Sequence, residues 1–370
     1  MRVGVDLHVL QGINQGSKTY LDNIYTSLCS RNSKAEFVFI FNKGMPFDSK
    51  WNDLGEVRNF EVTGSVPRLL YDARRLQKKH GLDVYHSQYI SPIVSKSREL
   101  VTIHDVLFET HPHFFDSKFN VRSKLLVRRS ALKAAHVLTV SEYSKEKIIE
   151  LYGVPEHRIS VTPNGVDAER FRTVNRSCAV EDVFANYGLR NFILTVGRLE
   201  PRKNHLGLLK AYRQLVERYG DVPQLAIVGQ RDFGFTEVFD FIIKHGLEKK
   251  VVVLENVNFE SLVKLYRSAR FFVYPSFAEG FGIPPLEAMA AECAVVCSNT
   301  TSMKEIFSKD AEMINPDDID SIFSVMEKLI GDDAAVETLR SCSARLCGEF
   351  TWDKSASVLS SVLDKLDYAL

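Results

Sequence analysis

Two glutamates, Glu279 and Glu287, stand eight positions apart in SFAEGFGIPPLEAMA, with two glycines and two prolines between them. The flanking runs FFVY and AVVC read as buried strands, so the stretch between is a loop entering a short helix that begins at Pro284 or Pro285. Proline suits a first helical turn, where the N–H it lacks would have had no partner. Gly280 and Gly282, with Phe281 and Ile283 beside them, let the backbone approach a ligand closely. A helix N-terminus offers unpaired N–H groups and the positive end of a dipole, which together hold an anion. Acids beside a phosphate site gain nothing from the phosphate. They do accept hydrogen bonds from neighbouring hydroxyls. The implied ligand carries both groups: a sugar nucleotide.

SFAEGFGIPPLEAMA closely resembles the donor-site signature of family 4 retaining glycosyltransferases. That resemblance implies Glu279 at the hydroxyls of the transferred sugar, Glu287 at the ribose diol, and Gly280 to Ile283 against the diphosphate. After the strand FILTVG comes RLEPRKNH, which supplies Arg198 and Lys203. By themselves two cations past a strand end fit a solvated loop as well as a phosphate site; the family pattern implies the pair that stabilises the leaving nucleoside diphosphate. Gly16 and Ser17, in QGINQGSKTY, resemble the family's N-terminal glycine loop. The sequence departs from its commonest form by placing Ser17-Lys18-Thr19 where a second glycine is frequent, and Gly12 is a weaker match. In TIHDVLFETHPHFF, His104 and Asp105 resemble the pair placed beside the donor sugar and acceptor, although a structural His at a strand end fits too. Ser141-Glu142-Tyr143-Ser144 and Asn164-Gly165 also match family positions, with a helix cap and a turn as the plain alternatives. His111 and His113 are separated by a proline and lack further ligands, which argues against zinc. Asp318 and Asp320 have Asp-x-Asp spacing but open a helical pattern, where capping explains them.

These residues need a scaffold of strand ends. RVGVDLHVL, EFVFIF, VRNFEV, DVYHSQ, ELVTIHD and HVLTVS alternate with helical stretches at 17–30, 68–80 and 118–135. FILTVG, QLAIVG, KVVVLENV, FFVYPS and AVVCS repeat the alternation further on. Such alternation implies an α/β protein with doubly wound parallel sheets. A chain of 370 residues with 45% apolar content has material for two cores. The expected domains are 1–172 and 190–350 with a polar link between them, and a terminal helix, 351–370. The resemblance implies the GT-B architecture: two Rossmann-like domains facing across a cleft, the last helix crossing back to the first domain.

Lys plus Arg balances Asp plus Glu at 47 each, which excludes a global attraction to nucleic acid. The six cysteines lack metal-ligand spacing and read as reduced thiols in a cytoplasmic protein, and no apolar run reaches membrane-spanning length. The expected activity is metal-independent, retaining hexosyl transfer from a GDP- or UDP-hexose to a saccharide or lipid-linked saccharide. Catalysis would come from leaving-group stabilisation and front-face attack, with no further cofactor. The N-terminal pattern looks most like bacterial mannosyltransferases of surface-polysaccharide assembly, which makes GDP-mannose the first expectation. An enzyme with a soluble product and a catalytically silent nucleotide-sugar scaffold are the alternatives. Glu279→Ala is expected to remove sugar contacts and leave packing intact. Lys118, Arg122, Lys124, Arg128, Arg129 and Lys133, with a second cluster at Arg68, Arg74, Arg75, Lys78 and Lys79, form basic helical surfaces suited to anionic lipid on the inner membrane face. Leu125, Leu126, Ala131 and Leu132 are expected to supply the apolar contacts of that helix.

Overall fold

Val-, Ile- and Phe-rich runs of three to six residues form the strands of a computed structural model that describes residues 1–11, 16–31 and 34–368. β-Branched and aromatic side chains pack well on a pleated surface buried on both faces, as parallel sheets are. Every strand pairing is parallel. The chain divides into two compact units, Met1–Gly165 with Thr351–Leu370, and Val166–Phe350.

The first unit holds a seven-stranded sheet of order β3-β2-β1-β4-β5-β6-β7. Its strands are β1 (Arg2–Asp6), β2 (Glu36–Phe41), β3 (Glu56–Asn59), β4 (Val84–Gln88), β5 (Arg98–Thr102), β6 (His136–Thr139) and β7 (Ile159–Val161). The order reverses between β1 and β4, and such a switch point is where open α/β sheets receive ligands. β1 is shorter than expected: it stops at Asp6, and His8–Gln11 turns as a 3-10 helix. The Asp6 carboxylate accepts from the His8 amide and pairs with buried Arg68, which ends the extended run. The terminal helix Trp352–Tyr368 packs here. Ser355 Oγ donates to the Pro163 carbonyl at 2.5 Å, and a Cβ on Gly165 would lie 2.3 Å from the Trp352 nitrogen, so only glycine permits that approach.

The second unit holds a six-stranded sheet of order β10-β9-β8-β11-β12-β13. Its strands are β8 (Phe192–Val196), β9 (Gln224–Val228), β10 (Val251–Leu254), β11 (Phe271–Tyr274), β12 (Val295–Ser298) and β13 (Glu312–Ile314). A core of Leu208, Leu215, Ile227, Phe271, Val296 and Met326, among others, lies against this sheet. The expected polar link falls inside this unit. Arg176–Tyr187 is a helix capped by Asn175, whose side chain accepts from the Ser177 amide, and its Ala179 and Val183 are buried.

The basic surfaces also differ from expectation. In the helix Ser117–Lys133 the buried side is Ser123, Val127, Ser130 and Ala131, while Leu125 and Leu132 are exposed. Arg129 is turned onto the carbonyls of Pro92 and Ile93, at 3.0 and 2.6 Å. In the second cluster Arg68 is buried against Asp6, and Arg75 pairs with Asp72 and Glu61, leaving Arg74, Lys78 and Lys79 exposed. Acids at matching positions take up the charge of the other two.

Candidate functional site

β8 and β11 are hydrogen-bonded neighbours where the second sheet reverses its order. The segments leaving their carboxyl ends carry RLEPRKN and PSFAEGFG, and these segments meet. The Phe277 amide donates to the Arg202 carbonyl at 2.9 Å, and Arg202 Nη1 donates to the Ala278 carbonyl at 2.7 Å. Glu279 lies at their junction. Its Oε1 accepts from Lys203 Nζ at 2.6 Å, Ser276 Oγ at 2.6 Å and Tyr274 Oη at 3.0 Å. Its Oε2 takes Arg202 Nη1 at 2.8 Å. Burial alone would raise this carboxyl, but the Arg202 and Lys203 charges outweigh it and hold the group at about 2. For Lys203, burial and then the Arg202 charge lower the ammonium, with Glu279 opposing both.

The cluster continues outward as alternating charges. Arg202 Nη2 donates to Glu200 at 2.6 Å, Glu200 lies 3.6 Å from Arg198, and Arg198 Nη1 reaches Asp232 at 2.5 Å. His205 Nε2 meets the Arg198 carbonyl at 3.1 Å, and burial lowers this imidazole to about 4, so the neutral ring donates there. Thus Arg198 and Lys203 stand at opposite ends of one network. Arg202, between them in sequence, was missed by sequence reasoning, as were Glu200, Asp232, Tyr274 and Ser276. Its signal was its presence in the same RLEPRKNH string, but only the fold shows that it faces Glu279.

The glutamate loop is clamped from the next strand end. Thr301 Oγ1 accepts from the Glu279 amide at 3.0 Å, and Ser302 Oγ donates to the Glu279 carbonyl at 2.8 Å. Thr301 holds φ +49°, a left-handed conformation that a β-branched residue adopts only under constraint, at a cost of about 1–3 kcal/mol. Gly282 caps the helix Ile283–Ala290 at φ +98°, and a Cβ there would press on the Phe307 ring at 3.2 Å. Since Pro284 and Pro285 have no N–H, the backbone donors at this helix start are the amides of Gly282 and Ile283. Phe281 is buried, with its ring edge-on to Phe350 at 5.5 Å. Glu287 stands apart from the charge network: Tyr266 Oη donates to it at 3.1 Å, and burial pushes its carboxyl up to about 7 against that bond.

The remaining expected residues lie in the first unit. His104 is buried, with Nε2 2.7 Å from Gln88 Oε1 and the Tyr20 ring edge-on at 5.0 Å. Asp105 accepts from the Leu107 amide at 3.1 Å and from Tyr89 Oη at 3.4 Å. The buried Asn164 Oδ1 has no hydrogen-bond partner among the described residues, so this side chain retains an acceptor. Gly16 opens the helix Gly16–Cys29 and Ser17 follows on its first turn; Gly12 lies outside the described residues. Ser141 caps the helix Glu142–Tyr152 through the Ser144 amide at 3.1 Å. In the second unit, Asp318 likewise caps Ile319–Gly331, accepting from the Asp320 amide at 3.0 Å.

Residues 16–170 match the family model described as Glycosyltransferase Family 4, and residues 181–345 match Glycosyl transferases group 1. The O-antigen chain mannosyltransferase B of Escherichia coli is 30% identical over 272 residues, 73% of this chain and 71% of that protein. The chain belongs to glycosyltransferase family 4. This family 4 chain is also 32% identical over 231 residues to the O-antigen chain mannosyltransferase RfbU of Salmonella typhimurium, 62% of this chain and 60% of that protein. It spans 28% of the length of a serotype-specific mannosyltransferase, WbdA of Escherichia coli. Sucrose-phosphate synthase from Thermosynechococcus elongatus superposes with a TM-score of 0.81 over 100% of both chains at 17% identity. Anabaena HepE in complex with UDP and glucose gives 0.76 over 99% of this chain and 100% of that one, at 20% identity. These likenesses place the family 4 chain in the GT-B fold.

Proposed function

We propose that the protein transfers a mannosyl group from GDP-mannose, with retention, to a saccharide carried on a lipid during surface-polysaccharide assembly. The observation that carries the reading is the junction of the two loops after β8 and β11. There Lys203, Arg202 and Glu279 form one buried charge cluster beside the Gly282 and Ile283 amides. The mannosyl donor and the polysaccharide acceptor are supported by the names of the relatives at about 30% identity. UDP in a structural neighbour supports a nucleotide sugar as co-substrate.

In this mechanism Arg198 and Lys203 offset the charge that develops on the departing diphosphate, and the two amides add fixed dipoles. Preorganised charge of this kind acts without reorganisation during the reaction. Glu279 holds the Lys203 ammonium in place and, through its backbone clamp, borders the transferred sugar. A carboxylate already accepting from four donors is a poor nucleophile, which favours front-face attack over a covalent glycosyl-enzyme. Glu287 accepts from the ribose diol. Within the first unit, His104 and Asn164 are assigned to sugar hydroxyls. The cationic and apolar outer face of Ser117–Lys133 rests on anionic lipid.

The test is a nucleotide-sugar panel, read first by thermal shift and then by product analysis, since a ligand that binds the native state raises its stability. GDP-mannose should give the largest shift and an α-linked mannoside. A shift with UDP-sugars alone would overturn the donor assignment.

A further inference from the structure

Gln88 stands opposite Thr102 in the parallel register of β4 and β5, and alternate residues of a strand share a face. This register gathers a buried polar row. Tyr25 Oη lies 2.5 Å from His86 Nδ1, and His86 Nε2 lies 2.8 Å from Thr102 Oγ1. Gln88 sends its amide nitrogen toward His86 Nε2 at 3.5 Å and its amide oxygen toward His104 Nε2 at 2.7 Å. His86, Gln88 and Thr102 are all buried, and His104 is only 8% exposed. The chain just beyond Gln88 is strained: Tyr89 holds φ +57°, while its amide donates to the Thr102 carbonyl at 2.8 Å. Its ring lies 5.5 Å from that of His104, whose other neighbour is the Tyr20 ring, edge-on at 89°. Among the described residues, His104 is thus held by one side-chain hydrogen bond and two aromatic walls.

A neutral imidazole has one N–H and one bare nitrogen, and the hydrogen bond made by one nitrogen decides the state of the other. An amide oxygen accepts only. Burial lowers His104 to about 3, so the ring is neutral wherever an enzyme of this kind works.

We propose that Gln88 is a positioning residue that fixes His104 as its Nε2–H tautomer, so that His104 presents Nδ1 to the substrate as a hydrogen-bond acceptor. The group that meets it must then donate. A sugar hydroxyl does so; a fluorine or a methoxy oxygen at the same place cannot. This inference rests on the reading that His104 contacts a sugar hydroxyl, and it adds which nitrogen does so and what selects it.

The experiment uses the full chain with 15N-labelled histidine, with the His104 signals assigned by their loss in His104→Ala. Two-bond proton–nitrogen correlations should show Nε2 protonated and Nδ1 bare in the wild type. Gln88→Met, which fills the space without an acceptor, should mix the tautomers and lower kcat/KM about fivefold to tenfold, the scale of one neutral hydrogen bond. Gln88→Glu, which keeps an acceptor oxygen, should restore the single tautomer and most of the activity. A purely packing role for Gln88 would leave the tautomer unchanged in Gln88→Met. A wild-type ring protonated at Nδ1, or an unmixed tautomer in Gln88→Met, would overturn the proposal. If the tautomers behave as stated but His104→Ala turns over normally, the sugar-contact reading falls and the proposed role falls with it, while the Gln88 bond stands.

Discussion

Lys203 Nζ donates to Glu279 Oε1 at 2.6 Å, so the cation assigned to the diphosphate and the acid assigned to the sugar are partners in one buried pair. Four donors converge on that carboxylate. Its removal therefore does more than subtract a substrate contact. The expectation that Glu279→Ala spares the fold is corrected by this geometry.

Glu279→Ala leaves Arg202 and Lys203 buried without their counter-charge, which costs about 3–5 kcal/mol where one partner of a buried pair is lost. Glu279→Gln, which keeps the shape and one acceptor, should be milder in stability yet still lose roughly 10²-fold or more in kcat. Urea midpoints beside single-turnover rates check both. Wild-type stability in Glu279→Ala would contradict the buried cluster.

The two glutamates should also part company with pH. Glu279 is held at about 2 against an ordinary 4.5, so its stabilising contribution is present above pH 4.5 and disappears as pH falls through 2. Glu287 runs the other way. Its folded carboxyl keeps its proton up to about 7, so its contribution is intact below pH 4.5 and is lost as pH rises to 7. Glu287→Gln should flatten stability across that window. If the ionised carboxylate accepts from the ribose, donor affinity in the wild type should increase as pH rises through 7, and this rise should vanish in Glu287→Gln.

Much of this site was legible because its chemistry is local. Gly282 holds φ +98° and stands just before a first helical turn that contains two prolines, so the loop and the helix start are written in adjacent residues. Strand alternation likewise showed both sheets. What stayed hidden depends on register. Nothing near Gln88 in the chain announces His104, and Arg202 is distinguished from Arg198 only by the direction the loop takes after Pro201. The strands Ile159–Val161 and Glu312–Ile314 were missed because three residues are too short for a pattern of period two. Arg176–Tyr187 was missed because its exposed face is polar enough to read as a link.

In the proposed mechanism Arg198 and Lys203 would offset the charge of the departing diphosphate without a divalent ion. On that reading, activity should survive EDTA within a factor of about two, because the two cations and the Gly282 and Ile283 amides would do the work of the ion. Complete loss restored by Mn²⁺ or Mg²⁺ would contradict this mechanism.

Glu292 takes the place where helices usually end in glycine. It holds φ +56°, the Cys293 amide reaches the Ala288 carbonyl at 2.9 Å, and the Glu292 amide reaches that of Met289 at 2.9 Å. This is a Schellman ending built on a strained residue. The side chain offsets part of the strain by pairing with Arg267 at 2.9 Å and Arg172 at 3.3 Å. Glu292→Gly should remove about 1–2 kcal/mol of left-handed strain while losing partly exposed ion pairs worth about 0–1 kcal/mol. Glu292→Ala loses the pairs and keeps the strain. The expected order of thermal midpoints is Gly at or above wild type, with Ala lowest.

On the outer face of Ser117–Lys133, Val121 and Leu125 are 62% and 67% exposed, with Phe119 and Leu132 also open to solvent. Helical spacing puts Val121, Leu125 and Leu132 on one stripe, with Lys118 and Arg122 along one edge and Lys124 and Arg128 along the other. An apolar stripe flanked by cations is the pattern of a helix that lies in a lipid interface. Each well-placed cation adds about 1 kcal/mol on an anionic surface, and salt screens that gain. Arg68, Arg75, Arg129 and Lys124 contribute less, because acids or carbonyls already hold them, Lys124 through Glu109 at 3.0 Å. The protein should therefore sediment with phosphatidylglycerol vesicles at low salt, release as salt rises, and bind phosphatidylcholine vesicles weakly. Leu125→Asp with Leu132→Asp should abolish sedimentation and slow transfer to a lipid-linked acceptor, with turnover on a water-soluble acceptor unchanged. Equal recovery on both vesicle types, insensitive to salt and to these substitutions, would remove the lipid surface as this face's partner.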